Sequence, residues 1–144
     1  MISEMTIQSP PQSTLDRLVR VNAALGEPGR VRLVAACLGS ERCVCQLVGL
    51  VGLSTATVSR HLTVLRDAGL LASRKDGRWV HYRAAEPEPG TPEADGMAMV
   101  GRLAADDSTI AEDRARLGAI CGLPAAEVAR RLKAGEAVCP PDCC

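Results

Sequence analysis

Residues 53–71 read LSTATVSRHLTVLRDAGLL, and this stretch decides the fold. Val58, Leu62 and Leu65 stand at i, i+4 and i+7, the spacing of one inward-facing helical stripe. Ser54 or Thr55 supplies the hydroxyl that caps the first turn, and Gly69 stops the helix. Thr57, Arg60, His61 and Thr63 fall on the other faces, so the spacing predicts a helix with an apolar back and a polar, basic front.

Working forward, LLASRKDGRWVHYRAA (70–85) alternates on either side of Asp76-Gly77, a strong hairpin dipeptide. Two short strands with a basic tip are expected. Working back, ERCVCQLVGLVG (41–52) predicts an apolar helix closed at Gly52, joined to the polar helix through GLS (52–54). Before it, GEPG (26–29) breaks the chain and RVRLVAACL (30–38) gives a short helix that Gly39 ends. Leu15, Leu18, Val19 and Leu25 recur at helical spacing after the capping candidates Ser13 and Thr14.

These readings divide the chain into a flexible tail (1–13), a unit of helices and a basic hairpin (14–86), a Pro/Gly/Glu-rich linker (87–96), a C-terminal helical region (97–138) and a cysteine-rich tail (139–144). Within the fourth, helical patterning runs over 97–121, where Thr109 and Glu112 have capping-box spacing. Pro124 suits the first turn of a further helix over 124–134.

The composition agrees with a mainly α fold. Of the 144 residues 47% are hydrophobic, but they are mostly Leu, Val and Ala, with no Phe, one Trp (Trp79) and one Tyr (Tyr82). Stacked helices suit that set better than an aromatic-rich sandwich. No apolar run approaches the roughly 20 residues of a membrane span, and MISEMTIQSPPQS lacks the pattern of a secretion signal. A cytoplasmic protein without a membrane partner is expected, in a compartment where thiols stay reduced. The net charge is zero, but it is unevenly spread. Residues 54–83 carry six basic and two acidic side chains, while residues from 84 onward carry six basic and eleven acidic ones. A local basic patch of this kind attracts phosphates.

Two short helices and a basic hairpin make a winged helix-turn-helix with a two-stranded wing. A helix of this size enters the major groove of double-stranded DNA. Ser54, Thr55, Thr57, Ser59, Arg60 and His61 are the candidates for base edges or for phosphate at the helix N-terminus. Arg74, Lys75 and Arg78 place the hairpin along the backbone or in the minor groove.

At this level the chain closely resembles the ArsR/SmtB family of metal-responsive repressors over residues 25–85. LGEPGRVRLV (25–34) is similar to the family's second-helix signature, residues 47–71 to its helix-turn-helix, and SRKDGRWVHYR (73–83) to its wing. The resemblance implies a homodimeric repressor on a palindromic operator, with the first and last helices as the dimer interface. It also implies that CVC (43–45) stands at the family's metal box. In the arsenite sensors that box is usually C-x-C-x-x-C, whereas the third place here is Val48.

Seven cysteines are an odd number for a disulfide framework, and five of them cluster as Cys43 and Cys45, then Cys139, Cys143 and Cys144. Thiolates select soft metals and metalloids. Residues two apart on a helix point about 200° away from each other. Cys43 and Cys45 therefore share an ion only if the first turn is unwound, which would strain the helix supporting the recognition helix. Pro140 and Pro141 exclude a regular helix in the tail, leaving Cys139, Cys143 and Cys144 able to close on one ion. The sequence leaves open whether the tail is a site of its own or joins Cys43 and Cys45 of its own or the partner subunit.

Three sulfurs suit As(III) or Sb(III); four would suit Cd(II), Pb(II) or Zn(II). Relatives with vicinal C-terminal cysteines incline the reading to the metalloids. Asp106, Asp107 and Asp113 lack the histidines that a zinc site on the last helix would need. Cys37 and Cys121 stand alone on apolar helices as packing residues. Thiol-redox sensing is the alternative for the same sulfurs. Without a C-x-x-C pair, a phosphate-cradling Gly loop or a Ser/His/Asp grouping, no enzyme is expected.

Overall fold

The computed structural model describes residues 13–123 and 125–135. Pro124 and the cysteines at 139, 143 and 144 lie outside that range, as does all but the last residue of the expected N-terminal tail. The described chain runs α1 (Thr14–Ala24), α2 (Pro28–Ala36), β1 (Arg42–Cys43), α3 (Val44–Val51), α4 (Thr55–Asp67), β2 (Leu71–Asp76), β3 (Trp79–Ala84), α5 (Pro92–Asp106), α6 (Ser108–Cys121) and α7 (Ala125–Lys133). No single helix among the described residues is long and apolar enough to cross a membrane.

The core forms where the periodicity placed it. Val58, Leu62 and Leu65 of α4 are fully buried against Leu33 and Val34 of α2 and Leu47 and Leu50 of α3. Ser54 caps α4, its Oγ accepting from the Thr57 N–H at 3.2 Å. β2 and β3 pair antiparallel from Leu71 opposite Ala84 to Asp76 opposite Trp79. The two-residue turn is therefore Gly77-Arg78, one position later than the dipeptide suggested. Gly77, at φ 60°, takes the place that needs the left-handed region.

The expected two-stranded wing is a three-stranded sheet, in the order β1-β3-β2. Arg42 pairs with Tyr82 and Cys43 with His81. Consequently α3 starts at Val44 rather than near residue 41. A two-residue strand has no period of its own to announce it.

The linker expected over 87–96 ends earlier, because α5 begins at Pro92. Thr91 accepts the Ala94 N–H at 3.2 Å, Pro92 occupies the first turn, and Glu93 and Asp95 complement the helix dipole. What reads as linker composition is a helix start. The helical stretch expected over 97–121 is two helices. Asp107 is extended (φ −83°, ψ 133°) and caps α6 through Ile110 N–H at 3.1 Å, two residues before the expected Thr109 box.

Within the protomer, α6 packs against α2 and α3, and α7 against α3. Leu117, Ile120 and Val128 thereby join the core of the DNA-binding unit. Arg32 of α2 meets the buried Asp113 of α6 through two hydrogen bonds of 2.7 and 2.9 Å.

Among the described residues of the C-terminal helices, α5 carries the exposed large apolar side chains, Met99 and Leu103. It packs on α1, where Gly96 admits Val21 so closely that a Cβ there would sit 2.7 Å from Val21 Cγ1. Arg17 and Glu93 clamp the two helices at 2.6 and 3.0 Å. On α1 the inward residues are Val21 and Ala24. The apolar Leu15, Leu18 and Val19 are 69%, 47% and 59% exposed. An apolar surface shared by α1 and α5 thus stands open.

Candidate DNA interface and thiol pair

Along α4, Thr55, Ser59 and Arg60 are exposed on the front of the helix. Ser54 and Thr57 engage each other: besides the cap, the Ser54 hydroxyl donates to Thr57 Oγ1 at 2.8 Å. His61 corrects the expectation that it faces outward. Its side chain is 14% exposed, with Nδ1 3.2 Å from Arg30 Nη1 and Nε2 3.6 Å from Glu27 Oε2. Arg30 also donates to the Ala24 and Ala23 carbonyls, at 2.7 and 3.2 Å. His61 therefore belongs to a polar seam that fastens α4 to the start of α2 and the end of α1.

In the wing, Lys75 and Arg78 are exposed, and the Arg78 guanidinium lies 5.1 Å from the centroid of the Trp79 ring. Arg74 is held sideways. Its Nε and Nη2 donate to the Glu41 carboxylate at 2.5 to 2.9 Å. That bond holds the Glu41 carboxyl below the ordinary carboxylate range. Glu41 was not foreseen. It precedes β1 by one residue and ties the wing to the segment that carries the cysteine pair.

Cys43 is buried at the N-cap of α3, in extended conformation, while Cys45 lies in the first turn. Because Cys43 is outside the helix, the 200° divergence of two helical residues does not apply. The sulfurs are 2.7 Å apart, with no disulfide joining them. Gln46 Oε1 accepts the Cys43 N–H at 3.0 Å and fixes the turn. The two sulfurs share a hydrogen bond in which either can donate; with Cys45 as the donor it lowers the Cys43 pKa to about 6, against the opposing effect of burial. Backbone N–H groups at the helix start add to the lowering. The same bond raises Cys45, so the pair is one thiolate and one thiol.

Among the described residues no three His, Cys, Asp or Glu side chains gather as a metal cluster. Cys37 is 1% exposed, and burial pushes its thiol up to about 12, as suits a packing residue. Cys121 ends α6. Asp107 caps α6, and Asp113 pairs with Arg32.

A cleft of about 360 Å³ opens beside Cys45. Its walls are Val44 and Val48 of α3, Trp79 and Val80 of β3, and Leu132 of α7, while Thr55, Ser59, Arg78 and Lys133 stand at its edge. The sequence showed no sign of this cleft, since its walls come from segments about fifty residues apart that only the fold-back of α7 brings together.

The profile of the bacterial regulatory protein, arsR family, matches residues 27–73. The arsenic resistance transcriptional regulator ArsR1 of Pseudomonas putida is 36% identical over 89 residues, which are 62% of this chain and 67% of that one. The transcriptional repressor SmtB of Mycobacterium tuberculosis is 34% identical over 92 residues, 64% of this chain and 68% of that one. A solution structure from Mycobacterium bovis, described as the homodimeric winged helix-turn-helix DNA-binding domain of a possible ArsR-family regulator, superposes with a TM-score of 0.54. It is 27% identical and covers 69% of this chain and 94% of the other. With its winged helix-turn-helix and this kinship, the chain belongs to the ArsR/SmtB family of transcriptional repressors, which are DNA-binding regulators and not enzymes.

Proposed function

We propose that this repressor holds its operator as a homodimer and releases it on binding As(III) or Sb(III) through cysteine sulfur. The observation that carries the reading is the 2.7 Å approach of Cys43, on a strand hydrogen-bonded to the wing, and Cys45, in the first turn of α3. Two sulfurs so placed can bond one soft ion without unwinding α3. The cysteines at 139, 143 and 144 are the source of the third sulfur that a pyramidal metalloid takes. A relative named for arsenic resistance supports the ligand class.

The DNA-reading set is Thr55, Ser59 and Arg60 on α4 with Lys75 and Arg78 on the wing. Ser54 and Thr57 shape the helix start. The exposed Leu15, Leu18, Val19, Met99 and Leu103 form the surface on which a second copy sits, in keeping with the homodimeric relative.

A ligand on Cys43 and Cys45 acts on β1, and β1 is bonded to β3 and, through Glu41, to Arg74. Any shift of the pair therefore moves the wing. By linkage, operator DNA weakens ligand binding as much as ligand weakens DNA binding, a coupling of about 1–3 kcal/mol.

The same sulfur approach favours one second reading, in which peroxide oxidises the two thiols to a disulfide, its two oxygens leaving as water. One experiment separates them. In fluorescence anisotropy on operator DNA, arsenite in reducing buffer releases the metalloid sensor. The redox sensor ignores arsenite and answers peroxide, reversibly with dithiothreitol. Release by Cd(II), Pb(II) or Zn(II) but not by arsenite would reassign the ligand to a four-coordinate metal.

A further inference from the structure

The cleft beside Cys45, at about 360 Å³, is within the size range of small-molecule sites, about 300–1,000 Å³. Its lining divides by chemistry. Val44, Val48, Val80 and Leu132 join Trp79 in an apolar wall. Arg78 and Lys133 are its charged members, and among the described residues no acidic side chain lines it. The sulfur in the lining is Cys45, the protonated member of the thiol pair, so the apolar part carries no charge of its own.

Arg78, Trp79, Ala129 and Lys133 also line an adjoining hollow of about 330 Å³, where Arg130 adds a further guanidinium. Arg130 pairs with Glu127, so the positive excess of the two hollows rests on Arg78 and Lys133. The Arg78 guanidinium lies 5.1 Å from the centroid of the Trp79 ring, so cation and apolar wall meet at one edge of the cleft. A purely apolar ligand would leave these cations unanswered, and an inorganic anion would leave the apolar wall wet. The lining is complementary to a molecule that has both parts, because a guanidinium and an ammonium bond a carboxylate more strongly than neutral donors do.

We propose that the cleft between α3, β3 and α7 binds a compact organic monoanion, an apolar ring system bearing one carboxylate, and that this molecule competes with operator DNA. The ring lies among Val48, Trp79 and Leu132, and the carboxylate bridges Arg78 and Lys133. Arg78 is then withdrawn from phosphate, and the bound ring lies against Thr55 and Ser59 at the cleft edge. Binding follows from the lining alone, whereas the competition rests also on the DNA-reading set proposed above. Neither needs thiol chemistry, so the cleft is a second input to the repressor beside the cysteine pair.

The test uses the full-length repressor in reducing buffer without metalloid. The probes are 1-naphthoate and its neutral counterpart 1-naphthylmethanol. Calorimetry reads binding, the indole N–H resonance of Trp79, the chain's single tryptophan, reads location, and fluorescence anisotropy reads operator affinity. Lys133→Gln removes an exposed charge, and Ala129→Phe fills the cleft from a half-buried position. Thermal unfolding shows whether each variant folds, and Lys133→Gln decides alone if Ala129→Phe does not.

The expected result is that 1-naphthoate shifts the Trp79 resonance and binds about tenfold tighter than the alcohol. Lys133→Gln removes that preference and leaves the alcohol unchanged, while Ala129→Phe weakens both probes. Saturating 1-naphthoate weakens operator binding by about tenfold, and operator weakens 1-naphthoate by the same factor. Equal affinity for acid and alcohol, or a preference that survives Lys133→Gln, overturns the anion site. Binding that leaves the Trp79 resonance in place overturns its location. Binding at Trp79 with operator affinity unchanged overturns the competition, and with it the placing of Thr55, Ser59 and Arg78 on the DNA. Release by arsenite enters none of these readouts, so failure here and failure of the metalloid reading are separate results.

Discussion

Cys43 Sγ lies 2.7 Å from Cys45 Sγ because one cysteine stands outside helix α3 and the other inside it. The hydrogen bond between them makes Cys43 a thiolate near neutrality. Its pKa of about 6 is below that of an ordinary thiol, so the native state binds fewer protons than the unfolded chain from the ordinary thiol range down to about pH 6. The bond therefore contributes stability that is lost as pH falls through about 6, grows up to the ordinary thiol range, and declines again above it, where the same bond keeps Cys45 protonated. The ultraviolet thiolate absorbance that Cys43→Ser removes is expected to titrate near pH 6. In Cys45→Ala, which removes the donor, the midpoint moves upward. A midpoint in the ordinary thiol range in both proteins would count against the pairing.

Asp113 is 4% exposed and owes its burial to Arg32. Asp113→Ala leaves the guanidinium without its partner and is expected to cost about 3 kcal/mol in urea unfolding. Replacing both residues with Met and Leu restores most of that, since a filled apolar pair removes the stranded charge. If the double variant is no better than the single, the bond contributes more than charge compensation.

The outer face of α1 and α5 provides a test that leaves the protomer's core untouched. Leu18→Glu with Met99→Lys changes two exposed side chains, so protomer stability shifts by about 0.5 kcal/mol or less. Sedimentation is expected to show monomers, and operator binding to weaken sharply, because each half-site is then held singly. Dimers that persist would place the interface elsewhere.

On the DNA side, the structure distinguishes three residues that look alike in the sequence. Arg60→Ala is expected to cost operator affinity about 1–3 kcal/mol while leaving thermal stability near wild type. His61→Ala is expected to do the reverse, lowering stability through the seam with Glu27 and Arg30. Arg74→Ala falls between, since Glu41 already neutralises much of its charge. Anisotropy and thermal unfolding on the three variants check this ordering.

What the sequence could reveal was local. Val58, Leu62 and Leu65 announce α4 because they repeat at the helical period and are also buried. Leu15, Leu18 and Val19 repeat just as well and yet face outward, since an apolar stripe looks the same whether it meets the protomer's own core or another chain. Thr91 and Pro92 were read as linker because a helix start and a flexible spacer use the same residues. β1 was invisible since two residues cannot show a period, and its pairing with β3 spans about forty positions. The thiol geometry went with it: once Cys43 was assumed helical, the two sulfurs had to diverge. The cleft was further still from view, because it depends on α7 folding back over α3.

Glu41 provides the sharpest test of how sulfur chemistry reaches the DNA. It sits one residue before β1 and accepts three contacts from Arg74 on the wing, so it couples the strand that carries Cys43 to the strand that carries the basic tip. Glu41→Gln keeps the side chain's size but removes the charge that holds Arg74. Two effects follow, with opposite signs for the repressor. Arg74 becomes available to phosphate, so affinity for any DNA rises and the salt dependence steepens by about one charge. At the same time the wing loses a tie to the cysteine strand, so arsenite releases less of the bound protein at equal occupancy. Measuring the salt slope of operator binding and the arsenite-dependent release on the same variant separates the two. A steeper slope with undiminished release would mean that the wing answers the thiol pair through the β1–β3 backbone pairing alone, and Glu41 would then be only a shield for Arg74.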